Sequence, residues 1–319
     1  MTVSQLAQEI LSGKYGTILE DDVQKAIPLM AKDKELTQII DDGIRTLPSS
    51  HSLRLGDSRQ LLAEISHDSV DLVITSPPYW NIKAYPSRDG QLGLIADYEE
   101  FLVETDNIWR ELYDLLKPGG RLVVIVGDVL VSRKTFGRHK LFPLHSSIQE
   151  HCRLMGFDNL APIIWQKIGN ASYEVENGSS GFLGKPYEPN AIIKNDIEYV
   201  IFLRKPGGYR TPTLEKRLLS LISYETHKIL FSQIWNIPGA TTRKHPAPFP
   251  LSLPERLIRM FSFVGDTVLD PFMGTGTTNL ASALLARNSV GIEIDPHYFK
   301  MAVNRVRGAN LKQMKLVSA

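Results

Sequence analysis

An α/β fold with a doubly wound, mostly parallel sheet is what this chain predicts, on three observations. Short apolar runs bounded by turn residues recur from residue 53 onward. Amphipathic stretches of helical period separate them, and residues 266–295 read strand, glycine loop, helix, strand. Strands alternating with helices in this way favour parallel pairing, because each crossover helix covers a sheet face.

The elements follow in order. Residues 4–46 are predicted helical, with Leu6, Ile10, Val23, Ile27, Leu36, Ile39 and Ile40 at three-to-four spacing. TLPSSHS (46–52) breaks that period, which sets off residues 1–50 as a helical extension, either a cap or a dimer element. LRLGDS (53–58) and VDLVIT (70–75) are strands; a helix over 98–116 is stopped by KPGG, and RLVVIVGD (121–128) is the next strand. A helix over 144–154 precedes the strands LAPIIWQK (160–167) and EYVIFLRK (198–205), which flank a polar gap at 168–195. Residues 207–245 are mixed, with a helical segment near 213–230. Helix 254–262, strand 266–270, helix 277–287, strand 289–295 and helix 296–306 close the chain, and no internal repeat is present.

Composition narrows the class. At 319 residues, 43% apolar, 22% charged and net charge +1, the chain has the balance of an ordinary globular protein. No run approaches the roughly 18 apolar residues of a membrane span. The start, MTVSQLAQEI, lacks the basic-then-apolar pattern of a signal peptide. One cysteine, Cys152, leaves no intramolecular disulfide and no zinc finger, so a reducing cytoplasm is the expected setting. Charge is uneven: residues 1–50 carry eight acids against five bases, so the excess of cations lies beyond them. VSRKTFGRHK (131–140) holds four cations and no acid, a pattern that suits a solvated face or a nucleic-acid contact.

The loop DPFMGTGTT (270–278) has the physics of a nucleoside site. Gly274 and Gly276 let backbone approach a ligand, the helix behind offers N–H groups, and Glu293 at the next strand's end suits paired ribose hydroxyls. Asn279 stands where a dinucleotide fold would have its third glycine, and Asp270 brings a carboxylate to the strand tip. A pyrophosphate is repelled there and an ammonium welcomed, so the expected ligand is an adenosine with a cationic tail, S-adenosylmethionine. The same two features disfavour a nicotinamide-dependent oxidoreductase. TSPPYW (75–80) ends another strand in a hydroxyl, two residues of fixed φ and two aromatics, a backbone built to stay still.

Together, TSPPYW and DPFMGTGTT resemble the catalytic and cofactor motifs of the amino-group DNA methyltransferases. With the catalytic motif first and the cofactor loop near the C-terminus, the order is that of the beta group. The resemblance spans about residues 51–306 and implies a circularly permuted methyltransferase fold. Its halves would be 51–206 (catalytic) and 244–319 (cofactor-binding), with target recognition in 207–243. It implies catalysis by Ser76, Pro77, Pro78 and Tyr79, and cofactor contacts from Asp57, Asp270, Phe272, Gly274, Gly276, Thr277 and Glu293. Asp57 would lie near the adenine amino group, and KHPAPFPLSLPERLI (244–258) would line the cofactor pocket. No metal is expected. DNA is the expected partner, with a homodimer and a cognate restriction endonuclease as further partners, in a bacterial, archaeal or phage-encoded setting.

The chemistry gives those residues a reason. An exocyclic amino group is a weak nucleophile because its lone pair is conjugated into the ring. Ser76 hydroxyl and Pro77 carbonyl would accept its two hydrogens, and the prolines would fix the direction. The base must be flipped out of the duplex to reach them. Tyr79 would stack on it, and Trp80 would support that stack or pack in the core. Arg133, Lys134, Arg138 and Lys140, in a loop after the strand 121–128, would contact phosphates, and Trp165 and Lys167 would flank the base. Recognition would come from the gap 168–195, with Tyr173 and Tyr187, and from 207–243. Serine before the prolines favours cytosine N4, with adenine N6 as the alternative. Cytosine C5 chemistry needs a cysteine nucleophile, and Cys152 sits on a predicted helix. RNA and protein-amide methyltransferases use the reverse motif order.

Overall fold

Residues 2–15, 22–80, 86–167, 196–240, 248–309 and 315–318 are described by the structure, a computed structural model. The expected contacts at 168–195, including Tyr173 and Tyr187, and at 244–247 lie outside the described residues.

The N-terminal extension is three helices, α1 (Val3–Leu11), α2 (Val23–Met30) and α3 (Lys34–Ile44). Their starts are set by side chains that satisfy open N–H groups: Thr2 in a capping box with Gln5, Asp22 on α2 and Asp33 on α3. Their apolar stripes, including Leu6, Ile10, Met30, Ile40 and Ile44, are buried in the main core, so the extension caps one sheet face.

The strands are β1 (Ser50–Leu55), β2 (Val70–Thr75), β3 (Leu116–Val126), β4 (Val129–Val131), β5 (Lys140–Phe142), β6 (Asp158–Gln166), β7 (Ile197–Arg204), β8 (Ile234–Asn236), β9 (Thr267–Asp270), β10 (Asn288–Glu293) and β11 (Lys315–Ser318). Between them run α4 (Ser58–Leu61), α5 (Tyr98–Leu115), α6 (Arg133–Phe136), α7 (Leu144–Leu154), α8 (Leu214–Leu219), α9 (Tyr224–Leu230), α10 (Ser252–Phe261), α11 (Thr277–Leu284) and α12 (Pro296–Ala309). Nine strands form one sheet in the order β11-β1-β10-β9-β2-β3-β7-β6-β8. Within it, β7 runs antiparallel to both its neighbours and every other pairing is parallel. The expected doubly wound, mostly parallel sheet is the one found.

Alternation along the strands builds two cores. Leu72, Ile74, Val123, Ile125, Val200 and Phe202 face α10, α11 and the N-terminal helices. Val73, Leu122, Val124, Val126, Ile201 and Leu203 face α5 and α7, against Phe101, Trp109, Leu112 and Ile148. Both faces are covered, which is why these strands are apolar throughout.

Two expectations are corrected. The basic stretch after β3 is a hairpin, β4 against β5, with the one-turn α6 between them. The helical segment at 213–230 is two helices, because Thr213 and Ser223 each cap a new start. Residues 207–240 are built into the scaffold. Leu218, Leu219 and Trp235 enter the main core, and β8 extends the sheet beside β6.

Candidate active site

Between β9 and β2 the winding reverses: β9 leads through α11 to β10, and β2 leads through α5 to β3 on the other side. A crevice opens at such a switch point, at the carboxyl ends of the strands. Here it is an open cleft, walled by Asp57 and Ser58 after β1, Ser76 and Pro78 after β2, Phe272 and Gly274 after β9, and Glu293 and Ile294 at the end of β10. Gly90, Gln91, Leu92 and Tyr298 also line it. Sequence reasoning misses these four, since they lie outside any motif. Ion pairs and hydrogen bonds hold the segment carrying Gly90–Leu92: Arg88 reaches Asp295 at 2.7 Å, and Arg59 donates to the Gly90 carbonyl.

Glu293 closes β10 with its carboxylate at the cleft. One oxygen accepts from Gly274 N–H and the other from Asp295 N–H, each at 2.8 Å. Burial pushes its pKa up to about 7, against the pull of those two donors. Asp57 caps α4 and pairs with Arg59 at 2.6 Å, so its carboxylate faces the cleft already neutralised.

Asp270 closes β9. It is buried and absent from the cleft lining; Thr75 hydroxyl and Phe272 N–H donate to it at 2.8 and 3.1 Å. Burial raises its pKa to about 6. It ties the start of the Ser-Pro-Pro-Tyr turn to the glycine loop. Gly276 also has another reason for being glycine: its φ is +75°, and a Cβ there would lie 2.8 Å from Ala302 Cβ on α12. Gly274, with φ +52°, remains at the cleft wall. Thr277 opens α11 and accepts from Arg305 at 3.2 Å, away from the cleft lining. Asn279 fits where a third glycine was missing because Gly291 on β10 makes the room; a Cβ there would meet its amide at 2.8 Å. None of residues 248–258 lines the cleft; α10 instead buries Leu253, Leu257 and Ile258.

At the mouth, Ser76 Oγ donates to Tyr79 hydroxyl at 3.3 Å, and Pro77 and Pro78 are buried. A serine that donates sideways turns its lone pairs outward as acceptors. Tyr79 is only 7% exposed, so its ring is no open stacking platform as it stands. Trp80 is core, edge-on to Tyr98 and Phe142 at ring distances of 5.2 and 4.9 Å. Trp165 is core as well, donating to Ile237 carbonyl at 2.8 Å. Lys167 is ion-paired with Glu198. Among the basic residues, Lys134 and Arg138 are exposed, and Lys140 stands 4.4 Å over Phe136 and 5.0 Å over Phe142. Arg133 opens α6; its side chain lies outside what is described.

The cleft's chemistry fits S-adenosylmethionine. A carboxylate at the end of β10 suits ribose hydroxyls, while Leu92, Phe272, Ile292 and Ile294 give apolar walls for a purine. Among the described residues, no cluster of His, Cys, Asp or Glu is arranged to hold a metal, and no helix is long and apolar enough to cross a membrane. Cys152 is buried on α7, with its thiol pKa pushed up by that burial.

Comparison with known proteins agrees with this geometry. A family model described as DNA methylase, of the N6/N4 methyltransferases, matches residues 70–304. The type II methyltransferase M.MjaI of Methanocaldococcus jannaschii is 37% identical over 280 residues, 78% of this chain and 88% of that protein. A Thermus thermophilus protein assigned as a DNA modification methylase, solved with S-adenosyl-L-methionine, is 48% identical. It superposes with a TM-score of 0.69 over 84% of this chain and 98% of that one. The cytosine-N4-specific PvuII DNA methyltransferase, 21% identical with a TM-score of 0.59 over 81% of this chain and 88% of that one, shares the fold. With its Ser-Pro-Pro-Tyr turn ahead of its glycine loop on one sheet edge, the chain belongs to the N6/N4 DNA methylase family, in the beta group.

Proposed function

We propose that the chain transfers the methyl group of S-adenosylmethionine to N4 of a cytosine flipped out of DNA at a specific site, leaving S-adenosylhomocysteine. The observation that carries this reading is Ser76, first residue of the rigid Ser-Pro-Pro-Tyr turn, at the mouth of the cleft with its hydroxyl directed to Tyr79.

Glu293 holds the ribose, Gly274 and Phe272 shape the wall, and the apolar residues take the adenine. Bound there, S-adenosylmethionine supplies a methyl group on a sulfonium, an electrophile that needs no metal. Ser76 Oγ and the Pro77 carbonyl accept the two amino hydrogens and turn the nitrogen lone pair toward the methyl carbon. Once the N–C bond has formed, the surplus amino proton leaves by the same acceptors to water. Lys134 and Arg138 support DNA binding as exposed phosphate contacts. A cognate endonuclease for the same site, a cytoplasmic setting and self-association belong to the same reading.

The test is transfer of labelled methyl from S-adenosylmethionine to unmethylated genomic DNA, followed by nucleoside digestion and mass spectrometry. N4-methylcytosine is expected. N6-methyladenine keeps the family and overturns the base; no methylated nucleoside overturns the reading.

A further inference from the structure

The cofactor cleft occupies one side of Ser76. Its walls come from the ends of β1, β10, β9 and β2, while β3, β7 and β6 supply none of its lining residues. A methyl acceptor must reach Ser76 from the side away from the donor, since displacement at carbon runs in line. The part of the sheet edge formed by β3, β7 and β6 therefore faces the base.

What it presents is a paired charge. Gly127 follows β3, and a Cβ on it would stand 3.7 Å from Tyr79 Cε2 and 3.2 Å from Glu198 Cγ. The tyrosine of the catalytic turn and the carboxylate side chain of β7 thus close on one backbone position. Glu198 is 7% exposed and ion-paired with Lys167, just past β6. The Lys167 ammonium also stands 4.8 Å over the ring of the buried Trp165. Ion pair and ring together hold a long side chain in one place. Such a pair is a poor device for stability, because desolvating the carboxylate offsets most of the attraction and an apolar pair would serve the sheet as well. An ammonium has three donors, of which Glu198 occupies one.

We propose that Lys167 is the base-reading residue, donating to the O2 carbonyl of the flipped cytosine, and that Glu198 is the positioning residue that holds it. The proposal rests on the N4-cytosine reading above. Adenine carries no carbonyl, so a donor fixed at this place separates the two bases. The carboxylate has a second consequence. A bare cation on O2 draws the amino lone pair further into the ring and weakens N4 as a nucleophile. A cation already neutralised by Glu198 reads the carbonyl with little of that cost.

The experiment uses the full chain, unmethylated genomic DNA and four proteins: wild type, K167M, K167R and E198Q. K167M is expected to lose about 10- to 100-fold in kcat/KM for DNA, the range for one charge-assisted hydrogen bond. Its Kd for S-adenosylmethionine by calorimetry stays at the wild-type value; its melting temperature falls, because the buried Glu198 loses its cation, so kinetics are compared at temperatures where the variant stays folded. K167R recovers part of the loss. E198Q lowers kcat with KM for DNA near wild type, because the lysine then acts uncompensated. Wild-type kcat/KM in K167M overturns the proposal, as does cofactor affinity falling in step with activity. N6-methyladenine as the wild-type product removes the carbonyl and overturns it as well. Failure of the underlying function shows separately, as a wild-type chain that methylates no DNA.

Discussion

Glu293 is a carboxyl group under two opposed influences. Burial pushes its pKa up to about 7, while two backbone N–H groups draw it down. If Glu293 holds the ribose as proposed, the ribose hydroxyls need the ionised acceptor, so affinity for S-adenosylmethionine is expected to rise between pH 6 and 8. E293Q should bind about tenfold more weakly, as for one lost charged hydrogen bond, with no such rise; calorimetry across that range checks both. Stability of the free chain runs the other way. A group whose pKa rises on folding contributes fully below its unfolded value, here 4.5, and loses that contribution as pH climbs through about 7. Asp270 behaves alike between 3.8 and about 6. The difference in melting temperature between wild type and E293Q should therefore move in favour of E293Q from pH 5 to 8. Ser76 answers to kinetics. On the proposed mechanism S76A removes an acceptor used only as the amino group reacts, so kcat should fall about 100-fold with cofactor Kd unchanged, in single-turnover and binding measurements.

At the scale of elements, the glycine loop shows what a sequence carries and what it hides. Strand, loop and helix are legible because their signals are local: an apolar run, then two glycines, then a helical period. The partner of Gly276 is not local. Ala302 sits on the next helix, beyond an intervening strand, so a glycine needed for helix packing reads as one needed for a ligand. G276A places a methyl group against Ala302 and forces alanine to a φ of +75°. The left-handed conformation costs roughly 1–2 kcal/mol and overpacking roughly 1–3 kcal/mol, so a loss of about 2–5 kcal/mol is expected in urea unfolding. Trp80 and Trp165 are hidden in the same way, since their burial depends on Tyr98, Phe142 and Ile237 from distant elements. β4, β5 and β8, three residues each, are too short to show a period. Ser76, Gly274, Glu293 and Asp57 are legible at the cleft because each stands at or just past a strand's end, two of them within a motif. Gln91 lies in a segment without a motif and Tyr298 on a helix past the last one, so nothing local marks either.

For the whole molecule, the instructive feature lies at the end of the sheet opposite the cleft. Arg210, in the connection after β7, bridges Asp71 at the start of β2 and Asp266 just before β9, each at 2.7 Å. The two carboxylates are 2% and 1% exposed, so the arginine compensates charges that water does not reach. The bridge joins the strand that carries the Ser-Pro-Pro-Tyr turn to the strand that carries the glycine loop, as the Thr75–Asp270 hydrogen bond does at the other end. It also fixes residues 207–213 to the scaffold, far from any base at Ser76. R210A leaves Asp71 with Lys117 and Asp266 with the more distant Lys216, so the loss is placed at the lower end for a broken buried pair, about 3 kcal/mol in urea unfolding. At temperatures where the variant stays folded, its methylated nucleoside, its target sites and its kcat should match wild type. Altered target sites in folded R210A would instead tie this connection to target recognition, because a purely structural clamp changes how much protein is folded and leaves unchanged which DNA the folded protein modifies.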